Sequence, residues 1–126
     1  MLATTAETID IVDLAKENDA FRREVITGKH TQVVLMTLQP GEEIGEEVHE
    51  EHDQTLVFVE GEGEAILEGQ AGPVTAGDLT FVPAGTRHNF RNTGSGPLRL
   101  YTIYGPPDHE PGTVHQTKAD AEAAEH

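Results

Sequence analysis

The chain has 126 residues, no cysteine, 36% hydrophobic residues and a formal net charge of −15. That length supports one domain with one buried core, and so acidic a chain repels phosphate backbones, which argues against nucleic acid or an anionic membrane as partner. The missing cysteines exclude disulfides and thiolate metal ligands, structural zinc of the finger type included, and no apolar run is long enough to cross a bilayer.

The N-terminal stretch MLATTAETID has no basic region followed by an apolar one, so it does not read as a signal peptide, and a cytoplasmic location is the default expectation. Ile9–Asp13 and Phe21–Thr27 are predicted as strands around a helical turn at Leu14–Asn18. Gly28-Lys29 makes a hairpin into a strand at Thr31–Leu38, which Pro40-Gly41 ends. Thr55–Glu60 and Glu64–Glu68 flank a turn at Gly61–Gly63, and Gly69–Pro73 leads to Val74–Ala76. Gly77-Asp78 turns into a strand at Leu79–Val82, and Pro83-Ala84-Gly85 turns again before His88 opens the next. Leu98–Tyr104 is the last long strand, after a plain turn at Gly94-Ser95-Gly96 that lacks phosphate-loop spacing.

Many short strands between Gly, Pro and Asp turns predict an all-β barrel or sandwich. Beyond Pro106-Pro107 the chain reads as an arm. Thr117 and Asp120 have the spacing of a weak capping box before the alanine-rich Ala119–Glu125. A short helix without an apolar stripe is predicted there, and frayed.

Thr31–Leu38 and Leu98–Tyr104 carry apolar residues on both faces. One face lines the core, so the other needs a cover, either the N-terminal segment or a second subunit. The expectation is a homodimer.

Two segments carry the chemistry. Gly77–Asn92 reads GDLTFVPAGTRHNFRN, with the spacing G-x5-P-x-G-x2-H-x3-N. Upstream, Pro40–Gly63 reads PGEEIGEEVHEEHDQTLVFVEGEG, which fits Glu47-x-His49-x4-Gln54 followed by Gly61 seven positions on. The downstream spacing resembles the complete second signature of the cupin superfamily. The upstream one resembles the first signature, with Glu in place of the first His and Gln in place of the Glu. Together they span Gly41–Asn92, and the turn-and-strand pattern extends the resemblance over most of the chain.

The resemblance implies a double-stranded β-helix, or jelly-roll barrel, as a single domain over residues 1–126, with the core barrel at about 20–105 and a short C-terminal arm and helix at 106–126. It also implies a divalent metal site built from Glu47, His49, Gln54 and His88. In a strand, Glu47 and His49 share a face. Gln54 has the opposite parity, which a bulge or loop over Glu50–Asp53 resets. A different bulge position would turn His52 inward in place of Glu47, and that alternative stays open here. Glu47 also belongs to a run of seven carboxylates within Glu42–Asp53, and such runs are usually solvated. Leu56, Phe58 and Phe90 are predicted to wall the cavity. His30, His109, His115 and His126 are expected in solvent, and Arg99, Tyr101 and Tyr104 are read chiefly as packing residues.

Two imidazoles and one carboxylate suit Fe, Mn, Ni or Zn. A neutral Gln ligand leaves the metal more electrophilic than a second carboxylate would, which favours Lewis-acid work on a carbonyl or hydroxy acid. The expected function is metal-dependent isomerisation or ring opening of a sugar acid or diketone, or O2-dependent cleavage, with Glu47 as base if it is not a ligand. The alternative is a cupin that binds a metal or small ligand without turnover. A metal-free epimerase needs a His–Asp base pair that the sequence does not identify, and no DNA-binding appendage is read in the chain.

Overall fold

A computed structural model describes residues 2–124. The elements run α1 (Ile11–Glu17), β1 (Arg22–Thr27), β2 (Gln32–Leu38), β3 (Glu47–Val48), β4 (Asp53–Glu60), β5 (Glu62–Leu67), β6 (Gln70–Thr75), β7 (Leu79–Val82), β8 (Arg87–Asn92), β9 (Leu98–Gly105), β10 (Val114–His115) and α2 (Lys118–Ala124). One antiparallel sheet has the order β10-β1-β2-β9-β4-β7 and the other β3-β8-β5-β6. This is the all-β architecture expected from the turn spacing, in the jelly-roll form that the resemblance implies, and it carries two short helices.

Period-two burial drives the assembly. In β4, Gln54, Leu56 and Phe58 are buried while Thr55, Val57 and Val59 are not. In β9, Leu98, Leu100, Thr102 and Tyr104 alternate with the less buried Arg99, Tyr101 and Ile103. Leu56, Phe58, Phe90 and Leu100 are all fully buried, and they form one core with Val34, Met36 and Leu38 of β2. Removing a buried aromatic such as Phe58 costs about 3–5 kcal/mol.

The turn between β4 and β5 requires glycine. Gly61 has φ +94°, and a Cβ there would sit 2.4 Å from the Pro97 carbonyl oxygen. At Gly63 the corresponding contact is 2.5 Å from the Arg91 carbonyl oxygen. Asn92, the last residue of the downstream motif, is structural. Its amide donates to the Leu38 and Gly96 carbonyls (2.8 and 2.9 Å), and its Oδ1 accepts from Gly94 N (2.9 Å).

Three expectations are corrected. Ile9–Asp13 is not a strand, because Asp10 caps a helix by accepting from the Asp13 amide at 3.1 Å, and Ala15 packs wholly buried beneath it. The second strand of the β5–β6 hairpin begins at Gln70, earlier than the predicted Val74. The C-terminal helix is docked: Ala121 is 3% exposed and belongs to the core, so one small side chain in a narrow gap replaces an apolar stripe. Its capping box is present, with Thr117 N donating to Asp120 Oδ2 (3.3 Å) and Asp120 N to Thr117 Oγ1 (3.1 Å). Neither helix is long and apolar enough to cross a membrane.

Candidate metal centre

β3 pairs with β8 so that Glu47 lies directly opposite His88. Opposed residues in an antiparallel pair share a face, so the short strand delivers the carboxylate to the imidazole. His49 follows two residues later, its carbonyl held by the Gly85 amide at 2.8 Å. One ligand atom from each of Glu47, His49 and His88 lies within 4.8 Å of the other two. The connection over Glu50–His52 then carries the chain to the other sheet, and Gln54 enters from β4. The parity reset is therefore a crossing between sheets.

The donor set fits a divalent cation. His88 is 3% exposed, and its Nδ1 lies 2.8 Å from the Thr86 carbonyl, an acceptor that places the proton on Nδ1 and leaves Nε2 as a lone pair. His49 Nε2 is buried with no hydrogen-bond partner, 3.8 Å from Glu47 Oε2. Gln54 donates from Nε2 to Thr102 Oγ1 at 3.0 Å, which leaves its Oε1 buried and unpartnered. Each orphaned polar atom costs about 1–3 kcal/mol, and a cation held by Glu47, His49 and His88 would satisfy His49 Nε2. Burial raises the Glu47 carboxyl above its ordinary range, while His49, Arg22 and His88 pull it back.

A second ring of polar groups surrounds this cluster. His52 stands outside it: its Nδ1 is 2.6 Å from the Pro106 carbonyl and its Nε2 3.2 Å from Asp108 Oδ1. His109, expected in solvent, is instead packed edge-on to Tyr104 with ring centroids 5.3 Å apart. The reason is Gln32, buried on the inner face of β2. Its Oε1 accepts from the Asp108 and His109 amides (3.1 and 2.9 Å) and its Nε2 donates to the His109 carbonyl (2.6 Å), folding the arm back. Burial first, then the Arg22 guanidinium, lower His109 to about 4. Tyr104 is buried, its ring 6.0 Å from that of His49, and burial raises its phenol so that it stays protonated.

Arg22 escaped the sequence reading. It pairs with Met36, whose side chain is in the core, so strand parity was the signal that could have found it. A buried glutamine at an inward position of β2 was likewise the signal for His109, because buried polar groups demand partners. His30 is exposed as expected, His115 is half-buried beside Arg22, and His126 lies outside the described residues. Arg99 is a packing residue that donates to the Lys16 and Asn18 carbonyls at the end of α1 (2.7 and 2.6 Å).

Two facing antiparallel sheets around a cluster of imidazoles, carboxylate and amide define a double-stranded β-helix protein with a candidate metal centre. A family model described as Cupin domain matches residues 34–104, and the chain belongs to the cupin family. It is 47% identical over 124 residues to the uncharacterized protein YrkC of Bacillus subtilis, a match covering 93% of this chain and 66% of that one. The crystal structure of BH2720 from Bacillus halodurans is 45% identical with TM-score 0.93, over 95% of this chain and 96% of that one. A predicted oxalate decarboxylase from Thermotoga maritima is 29% identical with TM-score 0.59, over 63% and 69% of the two chains.

Proposed function

We propose that the chain is a metal-dependent enzyme acting on a small oxygenated molecule, either by isomerisation or ring opening of a sugar acid or diketone or by O2-dependent cleavage. The observation that carries this reading is His49 Nε2, buried and unpartnered beside Glu47 and His88, with a second buried unpartnered atom, Gln54 Oε1, on the inner face of β4. Glu47, His49, Gln54 and His88 would hold Fe, Mn, Ni or Zn, which when bound supplies Lewis acidity toward a substrate oxygen. Leu56, Phe58 and Phe90 keep the inner wall dry and apolar. Glu47, its affinity for a proton raised by burial, is the group suited to exchange a proton with substrate if it is free of the metal. Tyr104 stays a neutral donor at the same level of the barrel.

A metal-free mechanism has less support. Asp108 meets two imidazoles, His109 at 3.4 Å and His52 at 3.2 Å, but His109 is packed against Tyr104 and both nitrogens of His52 are engaged, one by Asp108 and one by the Pro106 carbonyl. Neither is open to a substrate proton.

Elemental analysis of His88→Ala protein after loading with Mn(II) or Fe(II) tests the centre. Bound metal should fall about tenfold or more, while His52→Ala keeps the wild-type content. Unchanged stoichiometry in His88→Ala removes the site, and retention of metal without turnover across sugar acids, diketones and aromatic diols would leave a binding role only.

We further infer that the chain works as a homodimer through the outer face of the six-stranded sheet. Its rungs Leu35–Tyr101–Val57–Leu79 and Val33–Ile103–Thr55–Phe81 are apolar across four strands. α1 covers part of this face, yet Leu79 and Phe81 remain 60% and 54% exposed.

A further inference from the structure

Cations are scarce here, eight Lys and Arg against 23 carboxylates. Arg87 meets Glu46 and Glu68, Arg91 meets Glu64, and Arg99 meets Asp19 and Glu60. Arg22 differs. It is 5% exposed and appears in none of the ion pairs among the described residues. Its Nη1 lies 3.2 Å from His115 Nδ1 and its Cζ 5.4 Å from the Phe21 ring centroid, and Nε finds no acceptor. Glu47 feels its charge without forming an ion pair with it, and a buried guanidinium with no directly paired anion is costly unless one joins it.

Arg22 lines a cavity of about 270 Å³ whose other walls include Glu47, Lys118, Phe21, Ile44 and Ala121. That volume is just below the usual range for ligand pockets, about 300–1,000 Å³, and suits only a very small molecule. The cavity therefore joins the candidate metal centre, through Glu47, to two cations on β1 and α2. Its other acids do not neutralise them: Glu46 is 3.7 Å from Arg87, and Glu122 is exposed on α2. A cation held at Glu47 would engage that carboxylate and leave Arg22 less compensated.

We propose that this cavity is a carboxylate-binding subsite. Arg22 takes the carboxylate of a small acid, Lys118 draws it in from α2, and an adjacent oxygen of the same molecule reaches the Glu47–His49–His88 centre. A planar guanidinium matches a carboxylate with two parallel hydrogen bonds, which a lysine cannot do. With two cations set among the carboxylates of Glu46, Glu47 and Glu122, a singly charged acid fits better than a dianionic phosphate. The class of substrate narrows to small oxygenated acids. The second oxygen contact rests on the metal-centre reading, whereas the Arg22 contact does not.

The test is calorimetric titration of L-lactate and of lactamide into wild type, Arg22→Gln, Arg22→Lys and Lys118→Gln, each Mn(II)-loaded and metal-free, with metal content measured alongside. Arg22→Gln should keep its metal and lose about tenfold or more in lactate affinity, with lactamide unmoved. Lys118→Gln should weaken lactate about two- to threefold. Equal lactate affinity in wild type and Arg22→Gln at equal metal content overturns the subsite, as does inorganic phosphate binding more tightly than lactate. Should Arg22→Gln fail to fold, Arg22→Lys is read instead: an intermediate loss supports the fork, and wild-type affinity in both lysine-site variants overturns it. Wild type that takes up no Mn(II) sinks the metal centre alone, because the metal-free preference for lactate over lactamide still reads Arg22.

Discussion

Burial, followed by the Arg22 guanidinium, pushes the His109 imidazole down to about 4 from an ordinary 6.5. Between those values the unfolded chain takes up a proton that the folded chain refuses. The stability tied to a neutral His109 is thus complete above about 6.5 and is lost as pH falls toward 4, by at most about 3 kcal/mol. Metal-free wild type should melt markedly lower at pH 4.5 than at pH 7, and His109→Gln should flatten that difference. An unflattened profile would show that other groups carry the acid sensitivity. Glu47 has the opposite sign: its raised value means the metal-free fold loses stability from this group as pH rises through the window above the ordinary carboxylate range. The residue chemistry was half legible. His49 and His88 could be read from spacing, because strand parity and turn glycines constrain them locally. Arg22, Asp108 and His109 were not read, since the parity of β1 and the inward Gln32 hint at them only once the strand pairing and the folded-back arm are known.

At the scale of elements, α2 is held by two devices that differ in kind. Ala121 docks against the core, and the Thr117–Asp120 box satisfies amides at the helix start. Thr117→Ala should cost about 1 kcal/mol, felt locally. Hydrogen exchange at the amides of Ala121–Ala124 should quicken while the barrel strands stay protected, and uniform acceleration would mean that the helix unfolds only with the barrel. The capping box was plain from sequence because it needs only a spacing of three. The docking was not, because it depends on a gap between β1 and the segment at Ile44–Gly45 that no local pattern describes. α1 teaches the same lesson in reverse. Its apolar residues Ile11, Val12, Leu14 and Ala15 read partly as a strand, and the Asp10 cap decides for helix.

For the whole molecule, the outer face of the six-stranded sheet is where the proposed dimer would form. Leu79 and Phe81 lie at the β7 edge, outside the cover that α1 provides. Wild type should sediment at twice the monomer mass at micromolar concentration, and Leu79→Lys with Phe81→Lys should sediment as monomer with nearly unchanged melting, since both side chains are already exposed. A monomeric wild type would remove the dimer. By itself the sequence determined the all-β architecture, the turn glycines and the shared face of Glu47 and His49, because each follows from a period of two and from backbone angles that only a few residues accept; the pairing of Glu47 with His88 decided for Glu47 over His52. Only the tertiary structure decided that Gln54 comes from the opposite sheet, that His52 is tied to Asp108, and that Arg22 lies buried without an ion pair. Those three depend on which distant strands and arms pack together, and such packing leaves no trace in local spacing.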